Sequence, residues 1–514
     1  MLQRTYRQLI SRRFLSTSSI VLCNKNVVQR EPIITCKRPE FDLYSDDKIP
    51  GNKSFKSIPL ASEKWTHPKS ASAGDFFIIH PHKPRTPYED SNFEKWGAEF
   101  KKFDFDEILL ENLANNELSR STWVQNQAIP LILNNQHVLI AAETGCGKTL
   151  AYLLPLIQRL IKTKERLGER PFNSPLLLLL TPGRELAEQI ETVAREMTKG
   201  TDLKVKLILG GHTKQLMMNP TFEDMDILIG SVGGISKLTT SKILRMNHCR
   251  HVVLDEADTL LDDSFLNKMQ WFLNKFPFHK NHLQDLSDQI IGCQLILASA
   301  TMPHNTNEVL QSVINPETIV RVVSPNLHRL MTHVPQRFLR ISKMNRSPQL
   351  LSIVKSDLKS GRPVMIFANE SATSDYISIF LNNNGINCIN LHGQMLQKIR
   401  VGRFQQFQQG EVNVISTTDV ASRGLDTTRV KHVVNFDFPF YISDYIHRCG
   451  RVGRVGSAEN CYITNFVSNA ATINLVNRIE HAARTGQELE NVNANIKGQI
   501  QERIKRQIEN ISAR

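Results

Sequence analysis

Two acids, Asp255 and Glu256, close the apolar run His251-Val-Val-Leu254, downstream of Ala142-Glu-Thr-Gly-Cys-Gly-Lys-Thr149. Together these segments have the makings of phosphoryl transfer to water, which needs one carboxylate to hold a metal and another to polarise the attacking water. Asp255 is assigned to the metal and Glu256 to the water. The upstream segment reads as strand, glycine turn and helix: His137 to Ala142 is apolar, Gly145 and Gly147 bracket the turn, and Leu150 begins a helical pattern. A turn of this kind, from Ala142 through Glu143, Thr144, Gly145, Cys146 and Gly147, offers phosphates a nest of backbone N–H groups at the positive end of a helix. Lys148 would place its charge between the β- and γ-phosphates, and Thr149 would join Asp255 on Mg²⁺. Ala142 stands where the general G-x-x-x-x-G-K-[ST] pattern has glycine, and the strand ending in two acids compensates for that imperfection.

Such a site has to be carried by alternating strands and helices, and from about Phe100 the chain alternates in this way. Strands are expected at 137–142, 175–181, 205–209, 226–230, 251–255 and 294–298, and in a second block at 364–368, 387–391, 412–416 and 432–436. The expected divisions are a leader at 1–30, an extended, disordered arm at 31–99, a first block at 100–323, a linker at 324–335, a second block at 336–470 and a helical extension at 471–514. Eight prolines among polar residues between Pro32 and Pro87 suggest the arm, and Ile496, Ile500, Ile504 and Ile508 at i, i+4 spacing suggest the final helix. Only the first block has a phosphate loop. In the second, His447-Arg-Cys-Gly-Arg-Val-Gly-Arg454 sets Arg448, Arg451 and Arg454 three residues apart among glycines, able to stabilise charge on a transferring phosphoryl group. A nucleotide held between the blocks would make their closure a chemical switch.

From about Phe100 to Asn465 the ordered set of motifs resembles a DEAD-box ATP-dependent RNA helicase. Ser121-Thr-Trp-Val-Gln125 resembles the adenine-sensing Q motif, Thr181-Pro-Gly-Arg-Glu-Leu-Ala187 motif Ia, Gly210-Gly211 the double glycine and Ser299-Ala-Thr301 motif III. Ile366-Phe-Ala-Asn369 resembles motif IV, Gln397 with Arg400 the Q-x-x-R element, Thr418 to Asp426 motif V, and the arginine loop motif VI. The resemblance implies an α/β fold of two tandem RecA-like domains, each a parallel sheet flanked by helices, closing over ATP, Mg²⁺ and single-stranded RNA. It implies that Gln125 reads the adenine edge and Phe100 stacks on the base, with Phe103 the second candidate. Arg451 and Arg454 become arginine fingers beside Lys148 and Glu256, and Asp426 couples nucleotide to closure. Asp258, Ser299, Thr301, His447 and Arg448 link the domains, while Arg184, Gly211, Gly233, Gln397, Arg400 and Thr418 face RNA. Because RNA affinity would come mainly from phosphate contacts, sequence preference in the core should be weak.

Several residues depart from the family pattern. Ser121 and Trp123 stand where prolines are usual, Glu117-Leu118 where Gly-Phe is usual, and Ser231-Val-Gly-Gly234 where motif Ib carries an arginine. Gly183 and Val452 each replace a threonine. These changes lead us to expect weak RNA affinity in residues 100–470, offset by the flanking segments or a partner. Cys146 and Cys449 lie inside the phosphate loop and motif VI; a thiol near a helix N-terminus can be acidified, which sets redox control beside the plainer reading of small tolerated side chains.

Composition narrows the setting. The first 30 residues hold six Lys or Arg and no Asp or Glu, the composition of an organellar presequence, and Arg13-Phe14-Leu15-Ser16 is similar to a mitochondrial processing site. Removing that segment takes the net charge from +13 to 13 − 6 = +7, still suited to a polyanion. Eight cysteines without a C-x-x-C argue against a zinc site and a disulfide framework, and the longest apolar stretch is too short for a membrane span. Leader and core together resemble fungal mitochondrial RNA helicases that serve large ribosomal subunit assembly. That resemblance implies a monomer in the mitochondrial matrix, with ribosomal RNA as substrate and ribosome-assembly proteins as possible partners. The alternatives are an ATP-gated RNA clamp or scaffold that unwinds little, an intron-splicing RNA chaperone, a DNA helicase of the same superfamily, which should lack the Gln125 element, and a cytosolic enzyme of the same family.

Overall fold

Three short strands stand where a disordered arm was expected: β1 (Pro32–Cys36), β2 (Leu43–Tyr44) and β3 (Phe76–Ile78). The structure, a computed structural model, describes residues 31–47, 58–66, 75–79, 99–167, 170–210, 213–262, 266–278, 292–302, 310–331, 333–419, 428–454, 460–490 and 492. In the described part of the arm the prolines punctuate short elements: Pro32 opens a strand and Pro39 the first turn of a 3₁₀ helix, positions where a missing N–H costs little. A further turn, Glu63–Thr66, buries Trp65 completely.

The first domain contains β4 (Val138–Ala141), β5 (Leu177–Thr181), β6 (Val205–Ile208), β7 (Ile227–Ser231), β8 (His251–Asp255), β9 (Gln294–Ser299) and β10 (Val320–Val323). They form one parallel sheet in the order β10-β4-β9-β8-β5-β7-β6, so β4 and β8, which lead into the phosphate loop and the two acids, flank β9. All residues of β4, β5, β8 and β9 are buried, as expected for strands covered on both faces by helices.

The second domain contains β11 (Gln336–Arg340), β12 (Val364–Ala368), β13 (Cys388–Leu391), β14 (Val414–Thr418), β15 (His432–Asn435) and β16 (Tyr462–Val467). Its sheet runs β13-β14-β12-β15-β16-β11 in parallel and continues antiparallel through β3, β1 and β2. Residues that precede the first domain in sequence therefore complete the second, and the first domain is an insertion between β3 and β11. The helix Ile473–Thr485 packs on the second domain; the isoleucines at 496–508 lie outside the described residues.

Glu480 fastens this arrangement. Fully buried, it accepts hydrogen bonds from Ala61 N (2.7 Å), Ser62 N (2.9 Å) and Ser62 Oγ (2.6 Å), and pairs with Arg484 at 2.7 Å. Its charge is thus matched and its lone pairs are used, as a buried carboxylate requires. Trp65→Ala should lower unfolding stability by about 3–5 kcal/mol, because a wholly enclosed indole is lost. Urea unfolding of the variant checks this; an unchanged midpoint would mean that the segment does not contribute to the core. A fragment of residues 100–470 lacks β1, β3 and the helix 473–485, so it is an incomplete second domain and not a bare core.

A second buried network fixes β15. His432 Nδ1 meets Asp357 Oδ2 at 2.6 Å and Nε2 meets Thr464 Oγ1 at 2.9 Å, while Arg362 reaches Asp357 at 2.9 Å. Burial holds His432 below its ordinary value of 6.5, although Asp357 pulls the other way. Burial pushes Asp357 up, but His432, Tyr462 and Arg362 outweigh it and leave the carboxyl below its ordinary range. Both groups take up protons more readily when unfolded, so their contribution to stability is present at neutral pH. It is lost on acidification, first below about 6.5 through His432 and then below about 3.8 through Asp357. Urea midpoints should therefore fall as pH drops from about 7 to about 5, with a flatter slope in His432→Gln; equal slopes would place the effect elsewhere.

Candidate nucleotide site and nucleic-acid face

The capping box of the helix Trp123–Leu133 builds one wall of the site. Thr122 accepts a hydrogen bond from Gln125 N, Gln125 Oε1 accepts one from Thr122 N at 2.8 Å, and Thr122 Oγ1 donates to Cys146 O at 2.8 Å. Gln125 Nε2 donates to Gly147 O at 3.1 Å. The amide expected to read adenine is thus committed to the helix cap and the phosphate loop, and it lies so close to Gly147 that a Cβ there would fall 2.5 Å from Nε2. Phe100 is 4% exposed and packs in the first-domain core, 6.3 Å from Phe103 between ring centroids, so neither ring offers an open face for stacking.

Beyond β4 the loop turns through Gly145 and Gly147, both at positive φ (82° and 89°), into the helix Lys148–Leu167. Lys148 Nζ folds back to donate to Ala142 O (2.7 Å) and Glu143 O (2.8 Å), and the Oε2 of Glu143 is buried without a hydrogen-bond partner among the described residues. Cys146 is buried, and burial pushes its thiol up to about 11; Cys449, in the second-domain core, is pushed up to about 12 by the same cause. Neither is an acidified thiol, which favours the plainer reading of small tolerated side chains.

At the end of β8, Asp255 Oδ2 accepts from Tyr152 Oη at 2.7 Å and Oδ1 from Glu256 N at 2.9 Å. Burial pushes the Asp255 carboxyl up to about 6, against the Tyr152 hydrogen bond, which lowers it. Glu256 adopts the left-handed conformation (φ 53°, ψ 50°), an uncommon state for a residue other than glycine, and its Oε2 is buried with no partner among the described residues. Two orphaned carboxylate oxygens, an ammonium and a nest of N–H groups suit a triphosphate, an Mg²⁺ ion and a water, so the residues present fit the expected ligands.

The second domain meets the first over this loop. Thr144 Oγ1 donates to Gly450 O at 3.1 Å, and a Cβ on Gly145 would lie 2.5 Å from Arg454 Cγ, so the Arg454 stem lies against the phosphate loop. Arg454 Nε donates to Gly450 O (2.8 Å) and Arg451 Nε to His447 O (3.0 Å), both near the end of the helix Ile442–Cys449. His447 Nε2 comes within 3.6 Å of Asp258 Oδ2, which also accepts from Thr301 N (3.1 Å) and Thr301 Oγ1 (2.7 Å); Ser299 Oγ donates to Thr301 O at 2.5 Å. Burial pushes Asp258 up, but His447 and the hydroxyls of Thr301 and Ser299 outweigh it and hold the carboxyl well below the usual range. Arg448 is different: its partners Asp419 (2.6 Å), Asn369 (2.7 Å) and Asp437 O (2.7 Å) all belong to the second domain. It braces that domain internally, which corrects its expected role between domains.

Around the ends of β5, β6 and β7, Arg184, Gly210, Ser231 and Gly234 converge: a Cβ on Gly210 would stand 3.4 Å from Arg184 Nη2 and 3.5 Å from Ser231 Oγ. Gly233 is exposed beside them, with open space where a Cβ would go. Arg400 crosses to Glu185 in a buried ion pair, so this guanidinium is committed to the first domain instead of standing open to a phosphate. Gln397 begins its helix, and Thr418 ends β14 at 6% exposure. Gly211 and Asp426 lie outside the described residues.

Two contributors, Tyr152 and Thr122, and one contact, between Thr144 and Gly450, were not anticipated from sequence. Tyr152 lies three residues past Thr149, a spacing that shares one helix face. Thr122 opens a T-x-x-Q capping signature. Thr144 and Gly450 sit inside assigned motifs, but their contact spans 306 positions and nothing local announces it.

Residues 122–309 match the DEAD/DEAH box helicase family and residues 342–456 the helicase conserved C-terminal domain. The chain is 36% identical to the probable ATP-dependent RNA helicase DDX28 of Mus musculus over 89% of its length and 85% of that protein. It is also 36% identical to the probable ATP-dependent RNA helicase DDX28 of Homo sapiens, over 90% of its length and 86% of that protein. The structure of S. cerevisiae Dbp5 bound to RNA and ADP BeF3 aligns with a TM-score of 0.61 at 23% identity, covering 79% of this chain and 99% of that one, a likeness of fold.

Proposed function

Because this chain belongs to the DEAD-box ATP-dependent RNA helicase family, we propose that it remodels structured RNA in mitochondria, with ribosomal RNA of the large subunit during assembly as its substrate. Its activity is RNA-dependent ATP hydrolysis. The observation that supports the site assignment is the meeting of Thr144 and Gly145 with Gly450 and Arg454, in which the Arg454 stem lies against the phosphate loop.

In the mechanism we propose, the phosphates displace the Ala142 and Glu143 carbonyls from Lys148, whose ammonium then bears on the transferring group. Thr149 and Asp255 would hold Mg²⁺, which when bound supplies charge neutralisation for the phosphates. Tyr152 orients Asp255 from behind. Glu256, with one oxygen free of partners among the described residues, orients the water and takes its proton. Arg451 and Arg454 stabilise the charge that develops, and only in the closed arrangement. His447 and Asp258 join that arrangement to Thr301. Arg184, Gly233, Gln397 and Thr418 receive the RNA backbone, and Arg400 joins them by exchanging Glu185 for a phosphate.

The test is ATP hydrolysis by the chain lacking residues 1–30, with and without single-stranded RNA, followed by strand displacement. RNA-stimulated hydrolysis with displacement supports remodelling; stimulation without displacement turns the reading to an RNA clamp. Imaging fusions with and without residues 1–30 tests the mitochondrial address, since the basic, acid-free leader is what supports it. Crosslinking and sequencing of bound RNA in organelles tests the ribosomal substrate against introns. Among the described residues no helix is long and apolar enough to cross a membrane. Sedimentation of the purified chain tests the proposed monomer.

A further inference from the structure

The residues around β1 and β3 lie outside both family matches, which begin at 122 and end at 456, yet they are continuous with the core that carries the arginine loop. β3 pairs with β11 in the register Gln336↔Ile78, Arg337↔Phe77 and Phe338↔Phe76, and Asp75 Oδ1 accepts a hydrogen bond from Arg340 N at 2.9 Å. The Phe76 ring stacks on Phe338 with centroids 4.6 Å apart and planes 8° from parallel, and the Trp65 ring lies 5.8 Å from Phe76, tilted by 44°. Phe338 in turn packs against Phe438 (6.1 Å) and Tyr445 (6.5 Å). Tyr445 belongs to the helix Ile442–Cys449, and its hydroxyl donates to Gln336 Oε1, the residue that opens β11. From that same helix His447 faces Asp258, and directly after it Gly450 O receives the Thr144 hydroxyl.

An unbroken path of packed side chains thus runs from Trp65 through Phe76, Phe338 and Tyr445 to the helix that presents Arg451 and Arg454. Without β3, β11 would become an edge strand, and Phe338 would lose the ring that fixes it against Tyr445. We propose that strands β1 and β3, with Trp65, form a positioning element for the arginine loop, holding β11 and through it the helix Ile442–Cys449 in the place that aims Arg451 and Arg454 at the phosphate loop. The proposal rests on the reading of those arginines as part of the nucleotide site. Trp65 and Phe76 act through Phe338 and Tyr445.

The test compares Phe76→Ala with Ile377→Ala, both in the full chain. Ile377 is fully buried on the other face of the same sheet, among Leu350 and Val354, so its truncation weakens the same domain without touching the path. At temperatures where both variants are folded, Phe76→Ala should lower RNA-stimulated kcat by roughly 10–100-fold, as small misplacements of catalytic groups do. Its KM for ATP should stay within about twofold, and Ile377→Ala should keep kcat near wild type despite a comparable fall in melting temperature. Equal kcat in the two variants at matched folded fractions would overturn the proposal and reduce the segment to scaffold. If Phe76→Ala does not fold, Phe76→Leu takes its place, since it keeps apolar volume and loses the ring stack. An Arg454→Ala control separates the two readings: unchanged kcat there removes the arginine role itself, whereas a loss there beside an intact Phe76 variant removes only the positioning.

Discussion

Glu256→Gln should lower RNA-stimulated ATP hydrolysis by roughly 10²–10⁴-fold, the range expected for loss of a general base, with affinity for ATP and RNA preserved. The change is nearly isosteric. It leaves the backbone that reaches the left-handed conformation at this position, and it leaves Glu256 N free to donate to Asp255 Oδ1. What it removes is the charge on an oxygen that is buried and has no partner among the described residues, an expensive placement unless the group has chemical work to do. Single-turnover hydrolysis with saturating RNA, beside nucleotide binding at equilibrium, separates the two effects. Retention of most of the hydrolysis rate would remove Glu256 from the water and reopen the assignment of the two acids.

Gly450→Ala is the second large effect, and it acts on closure instead of chemistry. The backbone at Gly450 has φ −67° and ψ 5°, which any L-residue adopts, so the second domain should fold normally with alanine there. Yet the new Cβ would lie 1.6 Å from Thr144 Oγ1 and 2.8 Å from Thr144 Cβ, and no rotamer change removes the second clash. The domains could not meet over the phosphate loop, and Arg454, four residues on, would stand off from Gly145. RNA-stimulated kcat should fall by at least about 10²-fold, in line with the loss of arginine fingers, while nucleotide binding by the first domain and the melting temperature change little. Thermal unfolding and equilibrium nucleotide binding, measured beside the ATPase, distinguish this from misfolding. Wild-type turnover would show that the active closed state does not use the observed contact.

Much of the two domains could be read from sequence because their strands are apolar and bounded by turn residues. The run Leu177–Thr181 and the run Val364–Ala368 both fell where expected, and so did the turn between β4 and the helix from Lys148, with Gly145 and Gly147 at positive φ. β11 was missed because Gln336-Arg-Phe-Leu-Arg340 mixes charge with apolar residues; it is a strand because β16 and β3 supply partners on both sides. The described part of the arm was misread for a related reason. Its proline content matches that of disordered chain, and only the receiving surface, with Phe338 for Phe76 and Glu480 for Ser62, makes short strands worthwhile. Side-chain commitments were equally hidden. Gln125 and Arg400 carry the right chemistry for adenine and phosphate, but whether a donor is free or engaged depends on Gly147 and Glu185, which are remote in sequence.

Insertion of the first domain into the second also sets an order of events during synthesis. The chain is made from its N-terminus, so β1 and β3 emerge first, but their anchor Glu480 lies 419 positions after Ala61. The first domain, by contrast, has all seven strands within one continuous stretch and can complete itself as soon as β10 emerges. β1 and β3 are therefore among the last elements to find their place, and in the meantime the Trp65 indole and the edge of β3 that awaits β11 travel uncovered beside a finished neighbour. Such a segment is a natural client for a chaperone, and a truncation that removes Glu480 would strand the N-terminal strands as well.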